Sequence, residues 1–229
     1  MSEAVVNKVE GSSASCSHCG AVLSGGHFCG TCDRIQRVTP QTDLFSFIGL
    51  PRKLVLDEAE LEKTFYALSR RFHPDYFMSA SDAERQASME RSSMLNDAYR
   101  TLRDRVARAQ YLLSLEGYKE AEKKAPPDLL EEVFELNMQI EELKAAKKMA
   151  DEDEIAEAVA ALETVRTGLR AKLAEIDERL FVQFEEWDLV LENNNNAPGE
   201  KMIVLDRMSE LLSHRSYIRN LVRDITEVL

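Results

Sequence analysis

The chain has 229 residues and a formal net charge of −12, so it is long enough for one large domain or two to three small ones. The charge argues against non-specific binding to nucleic acid or to an anionic membrane, because phosphates would meet a repulsive field. Nine glycines and six prolines, set among many Ala, Leu, Glu, Lys and Arg, favour helix over sheet. We expect an all-α protein. Without an apolar run of spanning length or a targeting pattern near Met1, we expect it in the cytoplasm.

Shifts in composition predict three domains. A head rich in Ser, Gly and Cys occupies residues 1–40, a helical domain follows at 41–118, and a charged helical domain covers 119–229. The excess of acidic residues belongs to the third domain.

All four cysteines lie in the head, as Cys16-x-x-Cys19 and Cys29-x-x-Cys32. Two such pairs can converge as four thiolates around a tetrahedral metal ion, with Gly20 and Gly30 relieving the tight turns. We expect structural zinc in preference to iron, and His18 and His27 as bystanders. The alternative is a thiol–disulfide couple, but the helix start within a βαβ unit that usually carries one is missing from the pattern.

The middle domain predicts two antiparallel helices. Asp57 and Glu60 form a possible capping pair, and apolar residues follow at helical spacing: Leu61, Phe65, Leu68 and Phe72. The helix must stop at His73, because a proline follows it. Ser81 and Asp82 can start the second helix, whose predicted apolar positions are Met94, Leu95, Ala98, Tyr99 and Leu102.

His73, Pro74 and Asp75 therefore fall in the loop of a helical hairpin, directly after Arg70 and Arg71. There an imidazole, a rigid proline and a carboxylate would project toward a partner. A simpler interpretation also fits the sequence, since a histidine at a helix C-terminus is electrostatically favoured in any protein.

The third domain predicts a three-helix bundle. Its first helix, starting behind Pro127 and Asp128, carries one apolar stripe at Val133, Leu136, Ile140 and Leu143 and a second at Leu130, Phe134 and Met138. Acidic residues surround the second stripe. This second stripe is either a protein-binding surface or a face buried within the bundle, and the pattern alone allows both.

Four segments together resemble one family. They are Asp43-Leu-Phe-Ser-Phe-Ile-Gly-Leu-Pro51, Arg71-Phe-His-Pro-Asp75, Leu95-Asn-Asp-Ala-Tyr-Arg-Thr-Leu102 and Ala109-Gln-Tyr-Leu-Leu-Ser-Leu-Glu-Gly117. The sequence resembles the J-domain co-chaperones of the HscB type, some of which also carry a four-cysteine head. The resemblance implies an L-shaped, all-α protein with a zinc knuckle, a J-domain hairpin and a C-terminal three-helix bundle.

The resemblance also implies a function without covalent chemistry by this chain. An HscB-type protein stimulates the ATPase of an Hsp70-class, HscA-like chaperone and brings it the IscU-like scaffold protein of iron-sulfur cluster assembly. The positions implied for chaperone binding are His73, Pro74, Asp75, Arg70, Arg71 and Lys63, and those for scaffold binding are Leu130, Phe134, Glu135, Met138 and Val204.

Two positions depart from the family pattern. Tyr76 stands where many J-domains have lysine, and Met138 stands where an acid is commoner. Two alternative functions stay open: a J-domain protein serving another client, and a thiol or metal redox enzyme centred on the cysteines.

Overall fold

The structure, a computed structural model, describes residues 15–16, 18–23, 26–39, 42–118, 129–193 and 198–229. Within these ranges it contains seven α-helices, one short 3₁₀ helix and no β-strand, apart from two isolated β-bridges. The α-helices are α1 (Leu44–Ile48), α2 (Glu58–Phe72), α3 (Asp82–Arg103), α4 (Arg105–Leu115), α5 (Leu130–Met149), α6 (Glu152–Glu192) and α7 (Pro198–Val228). The all-α prediction is confirmed. Across the same ranges, no helix combines the length and the apolar character needed to cross a bilayer.

The chain forms two compact units. The first unit comprises Met1–Pro51 and Asp57–Arg103, and the second comprises Arg52–Leu56 and Asp104–Leu229. These are units of spatial contact, and the division into domains at 1–40, 41–118 and 119–229 stays a prediction.

The first unit is built on the hairpin of α2 and α3. Asp57 caps α2 by accepting hydrogen bonds from the backbone N–H groups of Ala59 and Glu60, at 2.9 and 3.2 Å. The buried faces of the two helices carry predicted apolar residues, namely Leu61, Phe72, Leu95, Ala98 and Leu102. The short helix α1 adds three further buried side chains, Phe45, Phe47 and Ile48.

The second unit is built on the helices α4 to α7. Asp151 caps α6 by accepting a hydrogen bond from the backbone N–H of Glu154 at 3.1 Å. Leu136 and Leu143 of the first predicted stripe lie in the core of this unit. Buried side chains of α6 and α7 complete the core, including Leu162, Leu169, Leu180, Phe184, Trp187, Met208, Ile218 and Ile225. The predicted helix start at Pro127 and Asp128 lies outside the described residues.

A short stretch of chain, Arg52–Leu56, is fastened to α6. The Asp188 carboxylate accepts hydrogen bonds from the backbone N–H groups of Leu54 and Val55, at 2.7 and 2.9 Å. The Trp187 indole donates to the carbonyl of Arg52 at 2.8 Å. Burial raises the pKa of Asp188, although both backbone bonds oppose this shift.

Candidate functional site

The His-Pro-Asp loop follows directly on α2. His73 is the C-terminal cap of the helix, and Pro74 starts a 3₁₀ helix that runs to Phe77. The Asp75 N–H donates to the Nδ1 atom of His73 at 3.3 Å, and an Asp75 carboxylate oxygen lies 3.5 Å from that nitrogen. The side chains of His73 and Asp75 are 52% and 75% exposed. The loop is therefore locally ordered and presents its imidazole and carboxylate to solvent.

The three basic residues predicted beside the loop do not share one face of α2. Lys63 and Arg70 are both exposed and lie two turns apart on the same side of the helix. Lys63 forms an ion pair with Glu60, at 3.0 Å. Arg71 points elsewhere, because its guanidinium lies 4.1 Å above the centroid of the Phe28 ring. Lys63 and Arg70 thus form the open basic face, and Arg71 is engaged within the first unit.

Two large side chains at the loop are exposed, which the sequence did not lead us to expect. Tyr76 is 73% exposed and Met78 is 74% exposed. Tyr76 was noted in the sequence only as a departure from lysine, which is the signal that could have marked it as part of the exposed surface.

The four cysteines meet at the tips of two equivalent knuckles. In the first knuckle the N–H of Gly20 donates to the carbonyl of Cys16 at 2.9 Å, and in the second the N–H of Asp33 donates to that of Cys29 at 2.8 Å. Gly20 and Asp33 both have positive φ, 72° and 54°. The turn glycine predicted at position 30 is therefore wrong for the second knuckle, where an aspartate adopts the left-handed conformation that Asp tolerates better than most residues.

The sulfur atoms have the spacing of a four-coordinate metal site. The pairs Cys16–Cys32 and Cys19–Cys29 are each 3.7 Å apart, and all four Sγ atoms lie within 4.8 Å of one another. A tetrahedral ion with metal–sulfur bonds of about 2.3 Å places its sulfur ligands about 3.8 Å apart. The four side chains therefore fit a metal ion.

Electrostatics in the cysteine cluster also suit a cation. Backbone N–H groups of Cys19 and His18 lower the pKa of the Cys16 thiol to about 6, and those of Cys32 and Thr31 lower that of Cys29. The Arg34 N–H lowers the pKa of Cys32, but burial and the neighbouring thiols outweigh it and raise that pKa to about 12. Four thiolates so close together repel one another, and a bound cation removes that penalty.

The second knuckle packs against the hairpin through contacts that the sequence reasoning did not predict. Arg91 of α3 is buried, and its guanidinium reaches the carbonyls of Gln36 and Arg37 and the His27 Nδ1 atom. The His27 ring lies edge-on to the Phe72 ring, with centroids 4.8 Å apart. Burial, followed by the charges of Arg91 and Arg71, lowers the pKa of His27 to about 4. His27 is thus a neutral contact residue between the knuckle and α2.

On α5, the second apolar stripe is exposed. Leu130, Phe134 and Met138 are 55%, 68% and 50% exposed, and one helical turn separates each from the next. Glu135 is also exposed, as are Glu141 and Glu142 farther along the helix. Of the two interpretations left open by the sequence, the structure favours an open surface over a second buried face. We call Leu130, Phe134 and Met138 the apolar stripe.

Val204 does not join this surface. Its side chain on α7 is 5% exposed and belongs to the core of the second unit, whereas its neighbours Met202 and Ile203 are 58% and 49% exposed. A side chain so deeply buried offers almost no area to a partner, so Val204 is not part of the exposed surface on α5.

Comparison with known proteins shows which family this chain resembles. The DnaJ domain family matches residues 43–111, which include the His-Pro-Asp loop. A curated Vibrio cholerae protein, described as a co-chaperone protein HscB homolog, is 38% identical over 140 residues, which cover 59% of this chain and 78% of that protein. The mouse iron-sulfur cluster co-chaperone protein HscB is 29% identical over 217 residues, or 92% of this chain and 80% of that protein.

Two solved structures have a similar fold. The crystal structure of the human co-chaperone protein HscB matches with a TM-score of 0.67 at 26% identity, covering 93% of this chain and 98% of that one. The Vibrio cholerae chaperone HscB matches with a TM-score of 0.55 at 29% identity, covering 82% and 97%.

Proposed function

Because this chain belongs to the HscB family of co-chaperones, we propose that it stimulates the ATPase of an Hsp70-class, HscA-like chaperone and delivers to it the IscU-like scaffold of iron-sulfur cluster assembly. The observation that carries the proposal is the exposed and locally ordered His-Pro-Asp loop within the matched DnaJ domain. In this role the chain binds and positions its partners and performs no covalent chemistry.

The chaperone contact is assigned to the loop and to the open basic face. The Asp75 carboxylate is 75% exposed and can form a charge-assisted pair with an arginine of the chaperone. Pro74 fixes its own φ and restricts His73, which lowers the entropy lost on docking. Lys63 and Arg70 add positive charge on α2 for this contact. Arg71 acts indirectly, because its guanidinium packs on the Phe28 ring beside the end of α2.

A steady-state ATPase assay of the chaperone, with scaffold present, tests this assignment. His73→Gln and Asp75→Asn should each reduce stimulation by roughly tenfold or more, since a hydrogen bond to a charged group contributes about 1.5–3 kcal/mol. Asp153→Asn, which changes an exposed acid of α6, is the matched control and should behave as wild type. Wild-type protein that leaves the hydrolysis rate unchanged would refute the proposed function.

The scaffold contact is assigned to the apolar stripe with Glu135. An exposed row of aliphatic and aromatic side chains beside acids is the composition of a protein-binding surface, because burial of the apolar area supplies affinity and the acids select a basic rim. The exposure of Phe134, at 68%, makes it the central anchor of this surface.

Titration calorimetry with the scaffold protein tests the stripe. Truncation of a central aromatic anchor typically costs 2 kcal/mol or more, so Phe134→Ala should weaken binding roughly thirtyfold. Met149→Ala, at the other end of α5 and 78% exposed, is the control. Unchanged affinity in Phe134→Ala would show that the apolar stripe is not the scaffold contact. Absence of scaffold binding by the wild-type protein would favour the alternative of a J-domain protein with another client.

The ion proposed for the four cysteines is zinc. Cys16, Cys19, Cys29 and Cys32 would hold it, and the ion would supply folding energy to a segment with little apolar core of its own. The two knuckles repeat the same backbone hydrogen bonds around their cysteine pairs, which is the arrangement expected of a structural site. Elemental analysis of the purified protein tests this, with about one zinc per chain expected.

A further inference from the structure

The last carbonyl of α2 has an unusual set of partners. In a continuing helix, the Phe72 carbonyl would accept from the N–H of Tyr76, four residues later. Here the Tyr76 N–H donates instead to the carbonyl of His73, at 3.0 Å. The Phe72 carbonyl accepts from two side chains of α3, the hydroxyls of Ser88 at 2.6 Å and Ser92 at 2.9 Å. We call Ser88 and Ser92 the serine pair.

The serine pair is placed to fix the direction in which the loop leaves the helix. The carbonyl of Phe72 and the N–H of His73 belong to one planar peptide group, so holding the oxygen orients the bond that leads into His73. The next residue is Pro74, whose ring restricts the backbone of His73 to extended conformations. Two constraints on either side of His73 leave its backbone little freedom before Asp75 is reached.

The chemistry of Ser88 suits this task better than it suits packing. Its side chain is fully buried, beside the buried Ala87 and one turn before the buried Arg91. A buried hydroxyl destabilises a core unless it is hydrogen bonded, and serine is a poorer helix former than alanine. The stabilising contact of this hydroxyl is its bond to the Phe72 carbonyl.

We propose that Ser88 and Ser92 are positioning residues for chaperone activation, because together they hold the Phe72 carbonyl and so aim His73, Pro74 and Asp75 at the chaperone. This inference rests on the proposed function and names residues that do not themselves touch the partner. The loop residues contact the chaperone, and the serine pair on α3 sets the direction in which they point.

The test compares two double variants of the full chain. Ser88→Ala with Ser92→Ala removes both hydroxyls, whereas Ser88→Ala with Ser92→Thr keeps one hydroxyl at a site that is only partly buried. Ser93→Ala, an exposed neighbour on α3, is the control. The chaperone ATPase is measured against co-chaperone concentration, which separates the half-maximal concentration from the maximal rate.

Loss of both hydroxyls should raise the half-maximal concentration about tenfold, while the maximal rate and the affinity for the scaffold stay near wild type. The threonine variant should recover most of the loss, and Ser93→Ala should show none. An equal loss in both double variants, or none in either, overturns the proposal.

A spectroscopic measurement keeps the inference testable without the chaperone. Backbone amide chemical shifts of His73, Asp75 and Tyr76 should move in the double alanine variant and return toward wild type in the threonine variant. If these shifts do not move, the serine pair does not position the loop. If the wild-type protein fails to stimulate the ATPase but the amide shifts move in the double alanine variant as expected, the proposed function is refuted and the role of the serine pair in positioning the loop is not. Should the double alanine variant lose helical circular dichroism, Ser92→Ala, which keeps the Ser88 bond, replaces it in both measurements.

Discussion

Replacing Arg91 with methionine should loosen the first unit and leave the second unit intact. The Arg91 side chain is 5% exposed. It donates from Nε to the Gln36 carbonyl at 2.5 Å and from Nη2 to the Arg37 carbonyl at 3.2 Å, and its Nη1 lies 2.6 Å from the His27 Nδ1. Methionine keeps the apolar stem of the side chain but makes none of these three contacts.

The expected cost follows from those contacts. Each hydrogen bond from a charged donor contributes about 1.5–3 kcal/mol, and the two short ones dominate. Methionine also removes the desolvation penalty of a buried cation, the same penalty that lowers the pKa of Arg91 to about 10. We expect a net loss of about 3 kcal/mol, which corresponds to a rise of about 10²-fold in the opening equilibrium of the knuckle.

Native-state amide hydrogen exchange measures this opening residue by residue. Amides of residues 26–39 should lose about 10²-fold of protection in Arg91→Met. The chain has a single tryptophan, Trp187, in the second unit, so the urea midpoint of its fluorescence reports on that unit and should not move. Arg100→Met, whose side chain is 81% exposed on the same helix, is the control. A change of less than about tenfold in the exchange of the knuckle would refute the reasoning.

Three further outcomes are expected. Cys16→Ser should abolish metal binding in elemental analysis and expose the amides of the cysteine head to exchange, and retention of the metal would contradict a four-thiolate site. Asp188→Asn replaces one of two accepting oxygens with an NH₂ group that faces a backbone donor. The urea midpoint of Trp187 fluorescence should therefore fall by the equivalent of about 1–3 kcal/mol in the free energy of unfolding. An unchanged midpoint would show that the bonds from Leu54 and Val55 to Asp188 do not stabilise the second unit. Burial and the hydrogen bond to Asp206 raise the pKa of Tyr118 to about 12, above the ordinary value near 10. The protonated hydroxyl therefore stabilises the folded state fully below pH about 10, and this contribution is lost as the pH rises toward 12. Accordingly, Tyr118→Phe should leave tyrosinate absorbance at pH about 10.5 unchanged, and loss of the signal of one tyrosine would contradict the shifted pKa.

The helices were predictable because their signals are local. The spacing of Leu61 and Phe72 places one face of α2 in the core, and Pro74 ends the helix whatever surrounds it. The same holds for the cysteine pairs, whose short spacing constrains the geometry of each knuckle. Periodicity and turn chemistry act within a few residues, so they can be read without knowing the tertiary structure.

The remaining features depend on contacts that no local pattern encodes. The apolar stripe and Val204 are both apolar positions at helical spacing, and only the rotation of each helix in the bundle decides that Phe134 is exposed and Val204 buried. Arg91 and His27 are 64 residues apart and meet only after the head has folded onto the hairpin. The left-handed turn at Asp33 was missed because composition favoured the nearby Gly30.

The attachment of Arg52–Leu56 to α6 has a practical consequence for dissecting this protein. A fragment ending near residue 118 would retain every residue matched by the DnaJ family, yet it would leave the N–H groups of Leu54 and Val55 without their carboxylate acceptor. Truncation at a domain boundary suggested by composition therefore removes the contact between Arg52–Leu56 and α6, which the sequence alone does not show. Truncated versions of this chain should be judged by whether they carry Asp188, and functional deficits in shorter ones reflect that missing anchor as well as the deleted helices.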